Sequence, residues 1–338
     1  MVPELLNPER LLNIVRRFSQ RKLLIVGDSI ADKFLYGSIA RVSREAPVFI
    51  LRHELTETVP GGAANCAANL AALGANVSLI SIAGSDETGM ALRDKLHAAG
   101  VNVDGLLLSE KIQTTTKVRI LAGHSHANKQ QVIRVDYEGA PLNDHALRET
   151  LHSSLRNALA AADAVIISDY NYGLVDEGAV ALVREARRSK NLPVLVDSRF
   201  RLSDFSGFTA ATPNEDEVEH LVGQPVESTE QLELAGLRLK DELQYDALLV
   251  TRGRHGMMLL ARNETPLHIP AAGDQLAVDG TGAGDTVIAT FALALASDAS
   301  FAEAARLANY AGGLVVMKRG TASVTAAELE HSINDLKS

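Results

Sequence analysis

Cysteine is almost missing from this 338-residue chain: Cys66 is the only one. A single thiol can build neither an intrachain disulfide framework nor a multi-cysteine zinc site. Its place after Asn65 in an Ala-rich stretch suits a small buried apolar residue. Positive charge is in deficit, with a formal net charge of -9. Nucleic-acid binders usually carry a basic domain, so a nucleic-acid partner is not expected. The deficit leaves room for a few Arg and Lys in a cleft that binds phosphate. No uncharged apolar run reaches about 18 residues, so no membrane-spanning helix is expected. The opening MVPELLNPERLLNIVRRF has an amphipathic helical pattern carrying charges and lacks the apolar block of a signal peptide, and the expectation is a cytoplasmic protein. There is no internal repeat, low-complexity segment or long linker. GxxxxGK[ST] and the protein-kinase motifs are absent, which excludes a P-loop kinase and a protein kinase. The first strand runs into GDSIAD rather than GxGxxG, which removes a Rossmann dehydrogenase.

What is present is a globular composition, 46% hydrophobic and 22% charged, at a length that can bury a large core. LLIVG at 23–27 reads as a buried strand, and the Ala-rich stretch 63–74 as a tightly packed helix stopped by Gly74. VSLISIA at 77–83 is the next strand, with a helix over about 88–99 ending at Gly100. AVIISDY (164–170), LPVLVD (192–197), ALLVTRG (247–253) and GMMLLA (256–261) continue the strands, TPNEDEVEHLVG opens a helix, and a long apolar helix follows residue 281. Strands alternating with helices predict an α/β fold with a mostly parallel central sheet flanked by helices. Residues 34–59 and 112–137 break the rhythm with alternating β-branched and charged residues, and predict β excursions forming a small lid. One domain over 1–338, with its core at about 22–330, is the simplest organisation.

The segment Asp279-Gly280-Thr281-Gly282-Ala283-Gly284-Asp285-Thr286 is the most informative in the chain. It places a Gly-rich turn directly before the long apolar helix. Helix N-termini present unpaired N–H groups and a positive dipole end, which suits phosphate. Gly282, Ala283 and Gly284 let a phosphate approach the backbone, and Asp285 in the first turn could accept a proton from a hydroxyl attacking a γ-phosphoryl group. A GxGD motif alone is equally a Gly-rich helix cap.

Three further motifs accompany it in order: Gly61-Gly62-Ala63-Ala64-Asn65 running into CAANLAALGANVSLISIAG, Asn214-Glu215-Asp216-Glu217, and Val250-Thr251-Arg252-Gly253 with Gly256. With them the chain resembles the ribokinase (PfkB-type) carbohydrate kinases over roughly residues 22–330. Within that family, Gly27, Asp28, Asp32, Tyr36, Gly37, Arg41, Ser43, Glu45, Ala46, Pro47 and Val48 resemble the outline of the D-glycero-D-manno-heptose-7-phosphate kinases, as do Ser168-Asp169-Tyr170 and Gly173-Leu174. Phe34 stands where that outline has Tyr. That group is often fused to a nucleotidyltransferase; this chain ends at Ser338, and the expectation is the kinase alone.

The resemblance implies a ribokinase-like fold, with ATP and Mg²⁺ as cosubstrate and cofactor. It implies Asp285 as catalytic base, with Gly282, Ala283 and Gly284 as the anion hole. It implies sugar binding by Asp32, Asp28, Gly61, Gly62 and Asn65, with Asp169 nearby. For Asp32 the alternative is a helix or turn cap. For the glycines and Asn65 it is a plain turn before a helix, with Asn65 facing solvent. Asn214 and Glu217 are implied to place Mg²⁺ and the ATP phosphates, partly through water. The same pair, three residues apart, also reads as a capping box, and both readings can hold together. Thr251, Gly253, Gly256, Thr281 and Asn309 are expected on the nucleotide side. Asp279 and the Thr281 carbonyl are a candidate site for a monovalent cation such as K⁺. The substrate phosphate needs cations: Arg41 and Arg44 lie in the first excursion, and Arg119, Lys129 and Arg134 in the second, with Arg44 and Arg134 taken as candidates. His124 and His126 form an HxH pair without an evident carboxylate or Cys partner, a weak basis for a metal site.

The expected reaction is transfer of the ATP γ-phosphoryl group to the anomeric hydroxyl of a heptose 7-phosphate. The alternatives are another kinase of this fold, acting on a different sugar, sugar phosphate or nucleoside, and a catalytically silent sugar-binding regulator on the same scaffold. The lid exposes sheet edges, which predicts a homodimer.

Overall fold

The computed structural model describes residues 7–123, 129–139, 141–273 and 278–335. The expected N-terminal helix is α1 (Pro8–Val15), capped by Asn7, whose side chain accepts from the Glu9 amide. The part of that pattern in residues 1–6, and the pair His124 and His126, lie outside the described residues.

The first buried run forms β1 (Lys22–Gly27). Its side chains alternate between two apolar layers: Leu23 and Ile25 join one, Leu24 and Val26 the other. A strand apolar on both faces belongs inside a parallel sheet covered by helices on either side. The chain continues through β2 (Ser29–Val42), β3 (Phe49–Gly62), α2 (Ala63–Ala72), β4 (Asn76–Gly84), α3 (Glu87–Ala98), β5 (Leu106–Ser109), β6 (Thr116–Gly123) and β7 (Gln130–Tyr137). Next come α4 (His145–Leu159), β8 (Ala164–Asp169), α5 (Glu177–Lys190), β9 (Val194–Ser198), β10 (Ala210–Ala211), α6 (Glu215–Val222) and α7 (Thr229–Glu242). The last part holds β11 (Ala247–Thr251), β12 (Met257–Ala261), β13 (Leu267–Ile269), α8 (Ala283–Ala296), α9 (Phe301–Val315) and α10 (Ala326–Asn334).

The large sheet runs β13-β12-β11-β10-β9-β8-β1-β4-β5, parallel except where β12 meets β11 and β13. One face is covered by α1, α2, α3, α8, α9 and α10, and the other by α4, α5, α6 and α7. Among them α8 is apolar around its whole circumference, which marks a fully buried helix, and it packs against both α2 and α9. The expected α/β architecture is therefore present.

The two β excursions form one four-stranded sheet, β3-β2-β6-β7. β2 and β3 are a long antiparallel hairpin, pairing from Ser29 opposite Gly62 to Val42 opposite Phe49 with register shifts between Tyr36 and Gly37 and between Ile39 and Arg41. β6 joins β2 in parallel and β7 closes the edge. The hairpin starts earlier than the alternating pattern at 34–59 suggests, because Ser29 to Lys33 already pair with Gly62 to Thr58. Thus β1 passes into the lid through Asp28 alone, at the carboxyl end of the central strand, where ligands of open α/β sheets collect.

Candidate active site

Asp285 lies in the first turn of α8 and is 5% exposed. Its Oδ2 accepts from Asn65 Nδ2 at 2.7 Å, and its Oδ1 from the Tyr170 hydroxyl at 3.2 Å. Burial pushes its carboxyl from 3.8 to about 6; the donors Asn65 and Tyr170 restrain the rise, Asp32 adds to it, and Arg199 opposes it. A carboxyl in that range can take a proton near neutral pH.

The loop before it is open. Gly282 caps α8 in a left-handed conformation with no side-chain cap bond. Among the described residues, the amides of Gly282, Gly284 and Asp285 find no backbone acceptor. A Cβ at Gly280 or Gly284 would meet no atom within 4 Å. Unpaired amides at a helix N-terminus facing free space are suited to an anion, here beside the carboxylate.

Asn65 is held from behind. Asn69 Nδ2 donates to the Asn65 carbonyl at 3.0 Å and to its Oδ1 at 3.1 Å, and Asn69 Oδ1 accepts from the Thr286 hydroxyl at 2.8 Å. This buried chain ties α2 to α8 and fixes the amide that faces Asp285. Asn65 does not face solvent.

Asp32 is a strand residue on β2, so a helix or turn cap does not account for it. It is 4% exposed and pairs with the Arg119 guanidinium of β6. Burial raises its carboxyl, and Arg119 and Lys117 counter this. A Cβ on Gly61 would lie 2.6 Å from Asp32 Oδ2, so only glycine fits there. Register places Arg134 opposite Arg119 and Asp136 opposite Lys117, so these four charges share one face of the lid. Arg134 itself bonds Asp136 at 2.9 Å. Lys129 pairs with Glu54, while Arg44 sits exposed in the hairpin tip, away from this group.

Asp28 and Asp169 have protein partners already. The Asp28 carboxylate accepts from the backbone amides of Tyr170 (2.9 Å), Tyr172 (3.2 Å) and Leu174 (3.3 Å), which shapes the loop after β8. Burial still lifts its carboxyl to about 6. Asp169 accepts from the Ser198 hydroxyl at 2.7 Å and from Arg201 at 2.6 Å.

On the other side, Asn214 and Glu217 form the capping box of α6: Asn214 Oδ1 accepts from the Glu217 amide at 2.7 Å, and Glu217 Oε2 from the Asn214 amide at 2.9 Å. Asn214 also bridges Thr251 at the end of β11. Gly253 and Gly256 both have positive φ in the turn between β11 and β12, and a Cβ on Gly256 would overlap the Ile269 carbonyl oxygen. Asp279 accepts from the Thr281 and Gly320 amides, each at 2.9 Å. Asn309 is buried in α9 and donates to the Pro270 carbonyl at 2.9 Å; among the described residues no bond joins it to the rest of the site.

Four further residues enter the site to which their local sequence assigns no role, although Tyr170 belongs to the Ser168-Asp169-Tyr170 resemblance. Tyr170 is one, and its ring lies near two cations, Lys117 Nζ at 5.7 Å and the Arg199 guanidinium at 5.2 Å. The fourth is Asp197, near the end of β9: burial, then the negative charges of Asp285 and Glu217, push its carboxyl up to about 8. Its position at a strand's carboxyl end is the one sequence signal it gives.

Comparison with known proteins decides the family. Residues 22–327 match the family model described as pfkB family carbohydrate kinase. The chain belongs to the pfkB family of carbohydrate kinases. Among curated pfkB-type relatives, it is 40% identical over 323 residues to the bifunctional protein HldE of Hahella chejuensis. It is 41% identical over 326 residues to that of Caulobacter vibrioides. These alignments cover 94% and 95% of this chain but 64% and 65% of the relatives, so the chain spans about two thirds of their length. Among solved structures, Arabidopsis thaliana ribokinase complexed with ribose and ATP matches with a TM-score of 0.70 and 22% identity over 94% of this chain and 98% of that one. Escherichia coli phosphofructokinase-2 matches with a TM-score of 0.77 and 20% identity over 94% of this chain and 100% of that one. These likenesses bear out the ribokinase-like fold. No helix among the described residues is long and apolar enough to cross a membrane.

Proposed function

We propose that this pfkB-family protein transfers the γ-phosphoryl group of ATP to the anomeric hydroxyl of D-glycero-D-manno-heptose 7-phosphate, giving the 1,7-bisphosphate and ADP. The observation that carries the transfer chemistry is the buried Asp285 carboxylate beside the open amides of α8, fixed by Asn65 and Tyr170. Asp285 removes the proton of the attacking hydroxyl as its oxygen bonds to the γ-phosphorus and the bond to the ADP oxygen breaks. The amides at 282–284 hold the negative charge that builds on the transferred group. Asp32, with Gly61 beside it, holds sugar hydroxyls. Lys117, Arg119 and Arg134 supply positive charge on the lid face for the sugar's own phosphate.

The residues present fit Mg²⁺. Burial and like charge raise the carboxyls of Glu217 and Asp197, and a cation beside them would relieve both. Mg²⁺ keeps most of its waters and needs few protein ligands. Glu217 and Asn214 would hold it, partly through water, and it would supply charge neutralisation of the phosphates. Asp279 and the Thr281 carbonyl are the place for K⁺.

The heptose phosphate reading rests on the motif resemblance at 27–48 and on the 40% identity to HldE. The reaction belongs to the cytoplasm, where ATP is supplied, and to lipopolysaccharide core assembly. The exposed edge strand β7, with Val132, Ile133, Val135 and Tyr137 open to solvent, is the surface proposed for homodimer contact. A substrate panel with coupled ADP detection tests the assignment. The heptose 7-phosphate should react best, and Asp285→Asn should remove turnover while ATP still binds. Turnover of free sugars with none on the 7-phosphate would sink the substrate reading.

A further inference from the structure

We propose that Tyr170 is a positioning residue for the base: its hydroxyl, donating to Asp285 Oδ1, keeps that carboxylate ionised and aimed at the substrate hydroxyl. The inference rests on the phosphoryl-transfer reading above and adds a residue to it.

The geometry is a two-sided clamp. Asn65 Nδ2 donates to Oδ2 of Asp285 at 2.7 Å, and the Tyr170 hydroxyl to Oδ1 at 3.2 Å. Two donors on the two oxygens fix the plane of the carboxylate. An ionised carboxylate has about four lone-pair sites, so acceptor capacity remains for a substrate hydroxyl. The two donors come from opposite parts of the fold, Asn65 from α2 and Tyr170 from the residue after β8.

Tyr170 is itself anchored. Its amide donates to Asp28 Oδ2 at 2.9 Å, and the same carboxylate takes the amides of Tyr172 and Leu174. Asp28 therefore sets the loop that delivers the phenol. Lys117 Nζ and the Arg199 guanidinium lie 5.7 and 5.2 Å from the ring centroid. Among the described residues neither cation forms an ion pair with a carboxylate, and two cations near the ring make the hydroxyl a stronger donor.

The charges around Asp285 make that donor necessary. Asp32 from β2 faces it with negative charge, Asp197 from β9 is a buried acid whose own carboxyl is pushed up to about 8, and Cys66 of α2 is a neutral neighbour whose thiol burial pushes up. Arg199 is the nearby positive charge and Asn65 the other donor. Burial drives the Tyr170 phenol upward as well, so it stays protonated and donating at working pH.

The test is Tyr170→Phe, which keeps the ring and its packing. The thermal midpoint should stay near that of the wild type, and the sugar KM should change less than about threefold. kcat should fall about tenfold or more, as for loss of a bond to a charged group. The acid limb of the kcat profile should move up by about one pH unit, because an ionised carboxylate has lost a donor. Tyrosine fluorinated on the ring at position 170 is a stronger donor and should move the limb down. If Tyr170→Phe does not fold, the fluorinated enzyme carries the test alone. A merely structural role lowers the yield of folded protein and leaves the limb in place; limbs that coincide with wild type therefore overturn the proposal. Absence of sugar kinase activity in the wild type would instead overturn the reading on which it rests.

Discussion

Asp285→Asn should make the protein more stable at neutral pH while removing its turnover. The acid is 5% exposed, and burial moves its carboxyl from 3.8 to about 6 in spite of two donors. In the unfolded chain the same group titrates near 3.8. Between those values the folded state keeps a proton that the unfolded state has released. Stability therefore falls as pH rises through the window, and the loss is complete above about 6. A displacement of that size costs the folded state about 3 kcal/mol at pH 7 and above. Asn is neutral at every pH and escapes this cost. Its amide N–H₂ would face one of the two donors, Asn65 or Tyr170, which returns about 1 kcal/mol or more.

The expected net gain is about 1–2 kcal/mol at pH 8, shrinking towards zero or below at pH 4, where the folded Asp285 is protonated and the unfolded one is close to half protonated. Urea unfolding of wild type and variant at the two pH values measures the gap. Asp28 is also raised, but it is common to both proteins and drops out of the difference; Asp197 is raised partly by the Asp285 charge, so its carboxyl falls in the variant and adds to the gain at pH 8. In the coupled ADP assay kcat should fall about 100- to 10,000-fold, the range for losing a general base. A stability gap that is the same at both pH values would refute the reasoning, since Asp285 would then carry no cost of buried charge.

A methyl group in Gly284→Ala meets no atom within 4 Å and improves helix propensity. Unfolding should show equal or slightly greater stability, while kcat/KM for ATP falls at least about tenfold because the methyl group occupies the phosphate's approach. Arg119→Ala removes the partner of Asp32, so the Asp32 carboxyl rises further. The KM for sugar should therefore increase more at pH 6 than at pH 8 in steady-state kinetics. Arg201→Ala leaves the Asp169 carboxylate, 1% exposed, with only the Ser198 hydroxyl. Denaturant unfolding should show a loss of about 3 kcal/mol.

The local elements were legible in the sequence because each is set by its own periodicity. LLIVG gives a strand apolar on both faces, and Asn214 with Glu217 gives a capping box, as the structure has them. The lid was legible as β structure, but the parallel pairing of β2 with β6 was not: alternation fixes which side chains share a face, not which distant strand supplies the neighbour. The same limit applies to the site. The Asn65–Asp285 bond spans 220 positions, and the Tyr170–Asp285 bond 115. Asp28 and Asp169 show the converse. Each lies at the carboxyl end of a central strand, where ligands gather, yet each is bonded to protein groups, three amides in one case and Arg201 with Ser198 in the other. Which carboxylate acquires a partner depends on loops whose course no short pattern encodes.

The glycines of the two diagnostic motifs divide by what surrounds them. A Cβ on Gly61 would press on Asp32 Oδ2 at 2.6 Å, one on Gly62 on the Asp28 carbonyl oxygen at 2.6 Å, and one on Gly282 on Asn65 Nδ2 at 2.6 Å. Gly61 and Gly282 are glycine because an acid and the amide that serves Asp285 need the space, and Gly62 because the Asp28 backbone does. Gly280 and Gly284 border free volume instead, so packing gives no reason for them, and that space is where the proposed function brings a phosphate. β3 also runs without a break through Gly61 and Gly62 into α2, where Asn65 stands in the first turn. Backbone that closes on Asp32 at one end thus orients Asp285 at the other. Asp32, proposed to bind sugar, and Asp285, the proposed base, are joined through five consecutive residues, 61–65, rather than through the sheet.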